Sequence, residues 1–179
     1  MAEPERRATS VSRVAAGAAA AWFLYIAIDF LSHAVLLASY WKATVEYWRP
    51  PEELLLFIPF GYAAFAILCG ALAWLMARLY GEKLNVAIGA KFGLIAGLLY
   101  WGAGTLGAYS ALRMPPSALI SWPASGTAST VLACVAAAWT MAGPRPWRRA
   151  GLAFAIALGV LVLGVVAQNL FVPREAFNP

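Results

Sequence analysis

Five long apolar runs, separated by short polar joints, set the pattern of this chain. They cover residues 14–40, 57–79, 86–112, 119–142 and 151–172. Each exceeds the ~18–20 residues that a helix needs to cross about 30 Å of hydrocarbon. Hydrocarbon offers backbone N–H and C=O groups no partner, so such a run closes its hydrogen bonds within itself as a helix. None shows the two-residue alternation of a membrane-spanning strand. The pattern predicts an all-α integral membrane bundle of five transmembrane helices, a single transmembrane domain over residues 1–179 with no soluble domain appended.

The first run follows a basic stretch, ERRATSVSR, and contains AAGAAAAW, which together imitate a secretory signal peptide. The run continues for about another 20 residues, well past the apolar core of such a peptide. It is expected to be kept as the first span.

Composition agrees with the pattern. The chain is 63% hydrophobic and 12% charged, against about 25% charged in a soluble domain. The net charge of +5 would suggest an acidic partner in a soluble protein. Here the cations flank the apolar runs, so the lipid bilayer is the expected partner and nucleic acid is not. With alternating helices, Arg6, Arg7, Arg13, Arg78, Lys83, Lys91, Arg145, Arg148 and Arg149 fall on one side. Lys42, Arg49, Arg113 and Arg174 fall on the other. Nine against four predicts a cytoplasmic N-terminus and an outside C-terminus by the positive-inside rule, as in a multi-pass protein of a bacterial inner membrane. Aromatic residues mark the borders: Tyr40, Trp41, Tyr47 and Trp48 beyond the first run, and Trp147 before the fifth.

Small residues supply a packing signal. In the third run Gly89, Gly93 and Gly97 recur every four residues, and Gly104 is expected to continue that face. Such spacing lets two helix backbones approach closely. The partner is a neighbouring helix of the same chain, a second copy, or another membrane protein. The fourth run carries Ser121, Ser125, Gly126, Thr127, Ser129 and Thr130, read as a buried small-residue face with a cavity lining as the alternative. Cys69 and Cys134 lie in apolar runs without CxxC spacing and read as small inert hydrophobes.

The chemistry-bearing residues sit in the first run. Tyr25, Asp29 and His33 are four apart and share one helix face, expected to extend through Leu36 or Leu37 to Tyr40. Asp29 falls near mid-membrane, with His33 about 6 Å further along. An aspartate there costs about 2.5–3.5 kcal/mol on insertion scales, so it should face the interior, be paired, or be protonated. A polar clamp to another helix and a proton or ligand site are the competing readings. Arg49 and Glu52 in the following loop, and Asn169 near the end of the fifth run, are further candidates. If the first, third and fifth helices converge, these would line one pocket with Gln168, Tyr109, Ser110 and Arg113. Glu52 and Glu53 also suit the start of the second helix, where acids complement the dipole. No catalytic residue is singled out, because GxSxG and phosphate-cradling loops are absent. No metal ligand set or cofactor is expected, since the chain has one histidine and no HExxH or CxxC.

The line DFLSHAVLLASYWKATVEYWRPPEEL resembles a group of small bacterial polytopic membrane proteins. Their first helix ends in Asp-Phe-x-x-His, Leu-Leu, Tyr, followed by an aromatic–Arg–Pro segment with acids. The matching positions are Asp29, Phe30, His33, Leu36, Leu37, Tyr40, Trp48, Arg49, Pro50 and Glu52 or Glu53. The resemblance covers the first four helices more loosely. It implies a multi-helix membrane fold without attaching an activity.

Three functions follow. The first is an integral membrane protein, not an enzyme, that binds or translocates a small ligand or a proton at the Asp/His pair. The second is an accessory subunit docked through the glycine-rich third helix. The third, an intramembrane metal- or haem-dependent redox protein, has least support from the residues.

Overall fold

The computed structural model of the chain describes residues 10–38 and 51–171. Five helices follow one another: α1 (Val11–Leu31), α2 (Pro51–Tyr80), α3 (Val86–Ala111), α4 (Ala118–Ala142) and α5 (Pro146–Phe171). A π-helical turn, Ser32–Leu36, prolongs α1, and a 3-10 turn, Gly81–Lys83, joins α2 to α3. All five are long and apolar enough to cross a membrane, and no strand occurs among the described residues. The protein is an all-α, multi-pass membrane bundle.

Local chemistry sets the helix ends. Ser10 accepts from the Arg13 N–H and Asn85 from the Ile88 N–H, each satisfying a first-turn donor that the helix leaves open. Helices α2 and α5 open on Pro51 and Pro146, whose fixed φ and missing N–H suit the first helical position. Both helices therefore begin several residues before the apolar runs at 57 and 151. Gly81, at φ +50°, turns the chain out of α2 in a conformation that costs glycine little.

The helices alternate in direction. Val11 and Arg78 line one groove, the Trp147 indole donates to Ser12 Oγ at 2.9 Å, and Gly89 lies against Ala138. The starts of α1, α3 and α5 thus share one end of the bundle, the Arg13 end, with the finishes of α2 and α4. Gly164 meets Phe30 at the opposite, His33 end. Helix α1 is central and packs on α2, α4 and α5, while α3 is held almost wholly by α4. The main core joins Ala21 and Tyr25 of α1, Cys69, Ala73 and Met76 of α2, and Ala133, Cys134 and Ala137 of α4. A second, alanine-only cluster of Ala16, Ala20, Ala136, Ala150 and Ala153 seats α1 against α4 and α5. The small side chains let these backbones come close, where van der Waals contact holds helices that lipid does not push together.

The glycine seam packs α3 onto α4 within the chain. A Cβ on Gly89 would stand 2.6 Å from Ala138 Cβ, on Gly93 2.8 Å from Val131 Cα, and on Gly97 2.9 Å from Thr127 Cα. Gly104 does not continue it: the residue is exposed and a Cβ there would meet nothing within 4 Å. The buried row instead runs Gly89, Gly93, Gly97 to Thr105, with Trp101 between the last two. That is the i±4 row, inclined about 26° to the helix axis, along which crossed helices touch.

Candidate functional site

Three α1 residues one turn apart were expected on one face, and the structure brings them together. Tyr25 is fully buried, its ring 4.5 Å from that of Phe65 on α2. One turn on, Asp29 Oδ1 lies 3.7 Å from His33 Nε2, with side chains 23% and 41% exposed for Asp29 and His33 respectively. The polar ladder therefore climbs from the closed core between α1, α2 and α4 toward the open His33 end. The 3.7 Å gap is longer than a direct hydrogen bond. A small rotation, or one bridging atom, would connect the two groups.

The ladder then changes step. Leu37 donates its N–H to Ser32 O, five residues back, at 2.8 Å. This π-helical turn inserts an extra residue into the helix and includes His33. Of the two expected continuations, Leu36 is 72% exposed and Leu37, four positions after His33, is half-buried, followed by the buried Ala38. Single π turns within α-helices occur frequently at functional sites.

Tyr25 adds an unsatisfied group beneath the pair. Its hydroxyl is buried next to the Thr130 hydroxyl of α4, short of full hydrogen-bond geometry, with Asp29 and Cys69 of α2 in electrostatic reach. A buried hydroxyl without a partner costs about 1–3 kcal/mol.

Of the remaining candidates, Asn169 alone has a described side chain. Tyr40 and Arg49 lie outside the described residues. Glu52 stands in the first turn of α2, at the N-terminal position expected, but its side chain is outside those described. Asn169 is exposed and donates to Val165 O of its own helix at 2.8 Å, so it forms no part of a shared pocket. The expected convergence of the first, third and fifth helices is corrected too. Helix α4 takes the place beside α1 that α3 would need, leaving Tyr109 exposed and Ser110 bonded to Gly107 O. Among the described residues, no three His, Cys, Asp or Glu side chains gather as a metal site.

On α4 four hydroxyls serve their own helix, while those of Thr127 and Thr140 are buried without a hydrogen-bond partner. Ser121, Ser125, Ser129 and Thr130 donate to Ser117 O, Trp122 O, Ser125 O and Gly126 O. Gly126, Thr127, Ser129 and Thr130 form the buried small-residue face. Two arrangements escaped the sequence. The Trp101 indole of α3 donates to Thr130 Oγ1 at 3.2 Å. Arg13 of α1 donates to both Met141 O and Gly143 O at 2.7 Å, while Arg149 of α5 reaches Trp139 O and lies 4.9 Å over the Trp139 ring. The spent C-terminal carbonyls of α4 attract cations, but nothing in the sequence says which helix provides them.

Compared with protein-family models, with curated proteins and with solved structures, the chain matches none.

Proposed function

We propose that this is a bacterial inner-membrane protein, N-terminus cytoplasmic and C-terminus outside. Its first helix would carry a site for a proton or a small polar ligand at Asp29 and His33. The observation that carries the reading is the half-buried pair at 3.7 Å inside an apolar span. Ionisable residues within a span are costly and mark relays or ligand sites far more often than surface charges do. A carboxylate that braced two helices would pair across them, whereas Asp29 pairs within α1. The π turn at His33 and the buried Tyr25 hydroxyl one turn from Asp29 add support.

The test is proton uptake by proteoliposomes holding the full chain and an internal pH dye, under an imposed pH gradient. Uptake above that of empty vesicles, lost in Asp29→Asn and His33→Ala with melting temperature retained, is the expected result. Variants that take up protons like the parent would contradict the relay. Variants that fail to fold would make the pair a structural clamp.

A second reading, an accessory subunit of a larger membrane complex, draws on α3. That helix is held by α4 almost alone, and Gly102, Gly104 and Gly107 face open space. A docked helix would use the side of Gly104 and Gly107, three apart on one face, because the Gly89–Gly97 seam is already occupied. Purification in mild detergent that repeatedly retains one stoichiometric partner, lost in Gly104→Leu, would favour it.

A further inference from the structure

At the Arg13 end, α1 and α2 line a half-open groove of about 470 Å³, within the ~300–1,000 Å³ range of small-molecule sites. Val14 and Ala18 of α1 form one wall, and Gly70, Trp74 and Arg78 of α2 form the other, with Ala77 between them. The α2 residues are four apart and share a face. They are graded along it: Gly70 opens the deep part, where a Cβ would meet nothing within 4 Å. Trp74 stands half-exposed one turn nearer the border. Arg78 lies at the mouth, exposed and in no ion pair among the described residues. The groove is therefore apolar in depth, amphipathic in the middle and cationic at its rim.

We infer that this groove holds an anionic phospholipid, one acyl chain lying along Gly70 between α1 and α2 and the headgroup phosphate on Arg78. The order of the lining matches the order of groups along a lipid. A guanidinium matches a phosphate in charge and donor geometry. The whole end has the same sign: Arg13, Arg78, Lys83, Lys91, Arg145, Arg148 and Arg149 are there, with Glu82 the one acid among the described residues. Basic pockets between membrane helices select anionic headgroups in this way. A zwitterionic lipid would fill the apolar part equally but gain nothing from that field. The inference is independent of the Asp29–His33 reading.

Native mass spectrometry of the full chain, released from nanodiscs of mixed phosphatidylglycerol and phosphatidylcholine, tests it. The parent should keep phosphatidylglycerol about fivefold over its share of the mixture, the attraction of one arginine for an anionic lipid surface. Arg78→Gln should lose most of that preference, the other cations of this end keeping a remainder, and Arg78→Lys should keep most of it. Gly70→Leu fills the groove without a backbone clash and should reduce retention of both lipids. Equal retention of the two lipids by the parent would overturn the proposal. So would an unchanged preference in Arg78→Gln, or undiminished retention in Gly70→Leu.

Discussion

The Trp101 indole lies so close over Gly126 that a Cβ on the glycine would stand 2.3 Å from Trp101 Cδ2. The same indole donates to Thr130 Oγ1, one turn further along α4. Gly126→Ala must therefore displace the ring from its place between α3 and α4. Overpacking of this kind costs about 1–3 kcal/mol. Trp101→Phe keeps most of the volume and loses the hydrogen bond, a loss of about 1 kcal/mol. Denaturation in detergent, followed by near-ultraviolet circular dichroism, should rank Gly126→Ala below Trp101→Phe and both below the parent.

Gly93 and Gly104 look alike in the sequence and should behave differently. Gly93→Ala places a methyl group 2.8 Å from the α4 backbone and should lower stability by about 1–3 kcal/mol. Gly104→Ala meets open space and should stay within about 0.5 kcal/mol of the parent. Thermal melting of the two variants side by side checks this, and equal losses would count against the inclined seam.

Arg13 ties α1 to the end of α4 through two carbonyls. Hydrogen bonds to a charged group contribute about 1.5–3 kcal/mol, so Arg13→Gln should lower stability by an amount near the bottom of that range. Hydrogen exchange should show the gain in opening concentrated around Met141 and Gly143. A variant that melts like the parent would mean that solvent replaces the guanidinium at no cost.

Orientation is open to a direct check because both native thiols, Cys69 and Cys134, are buried. In intact cells, Arg113→Cys should react with a membrane-impermeant maleimide, and Lys83→Cys should react only after permeabilisation. The opposite result would place the Arg13 end outside, against the bias of positive charge.

Much of the fold was legible because each span sums many favourable transfer terms, which no local detail overturns. The Gly89–Gly97 seam was legible from spacing alone, since only small residues permit such an approach. Gly104 was misplaced because the crossing angle of α3 and α4 decides which row makes contact, and that angle belongs to the pair. The early starts of α2 and α5 follow from Pro51 and Pro146, which begin helices as readily as they end them. At the candidate site, the Tyr25–Asp29–His33 face was visible as a four-residue repeat. The π turn that leaves Leu36 exposed and Leu37 half-buried depends on a change of hydrogen-bond register with no residue signature. Asn169 misses that face although α5 does pack on α1, because its side chain is exposed and turns back to Val165 O of its own helix.

His33 is the chain's one histidine, so a protein labelled with ¹⁵N-histidine reports a single imidazole at the candidate site. Nuclear magnetic resonance of that signal across about pH 5–8, the range in which histidine changes charge, is the most direct measurement of the central claim. A pair that exchanges protons predicts a His33 signal that titrates reversibly, with a titration that changes in Asp29→Asn. A signal unmoved throughout the range, and identical in the parent and Asp29→Asn, would contradict it.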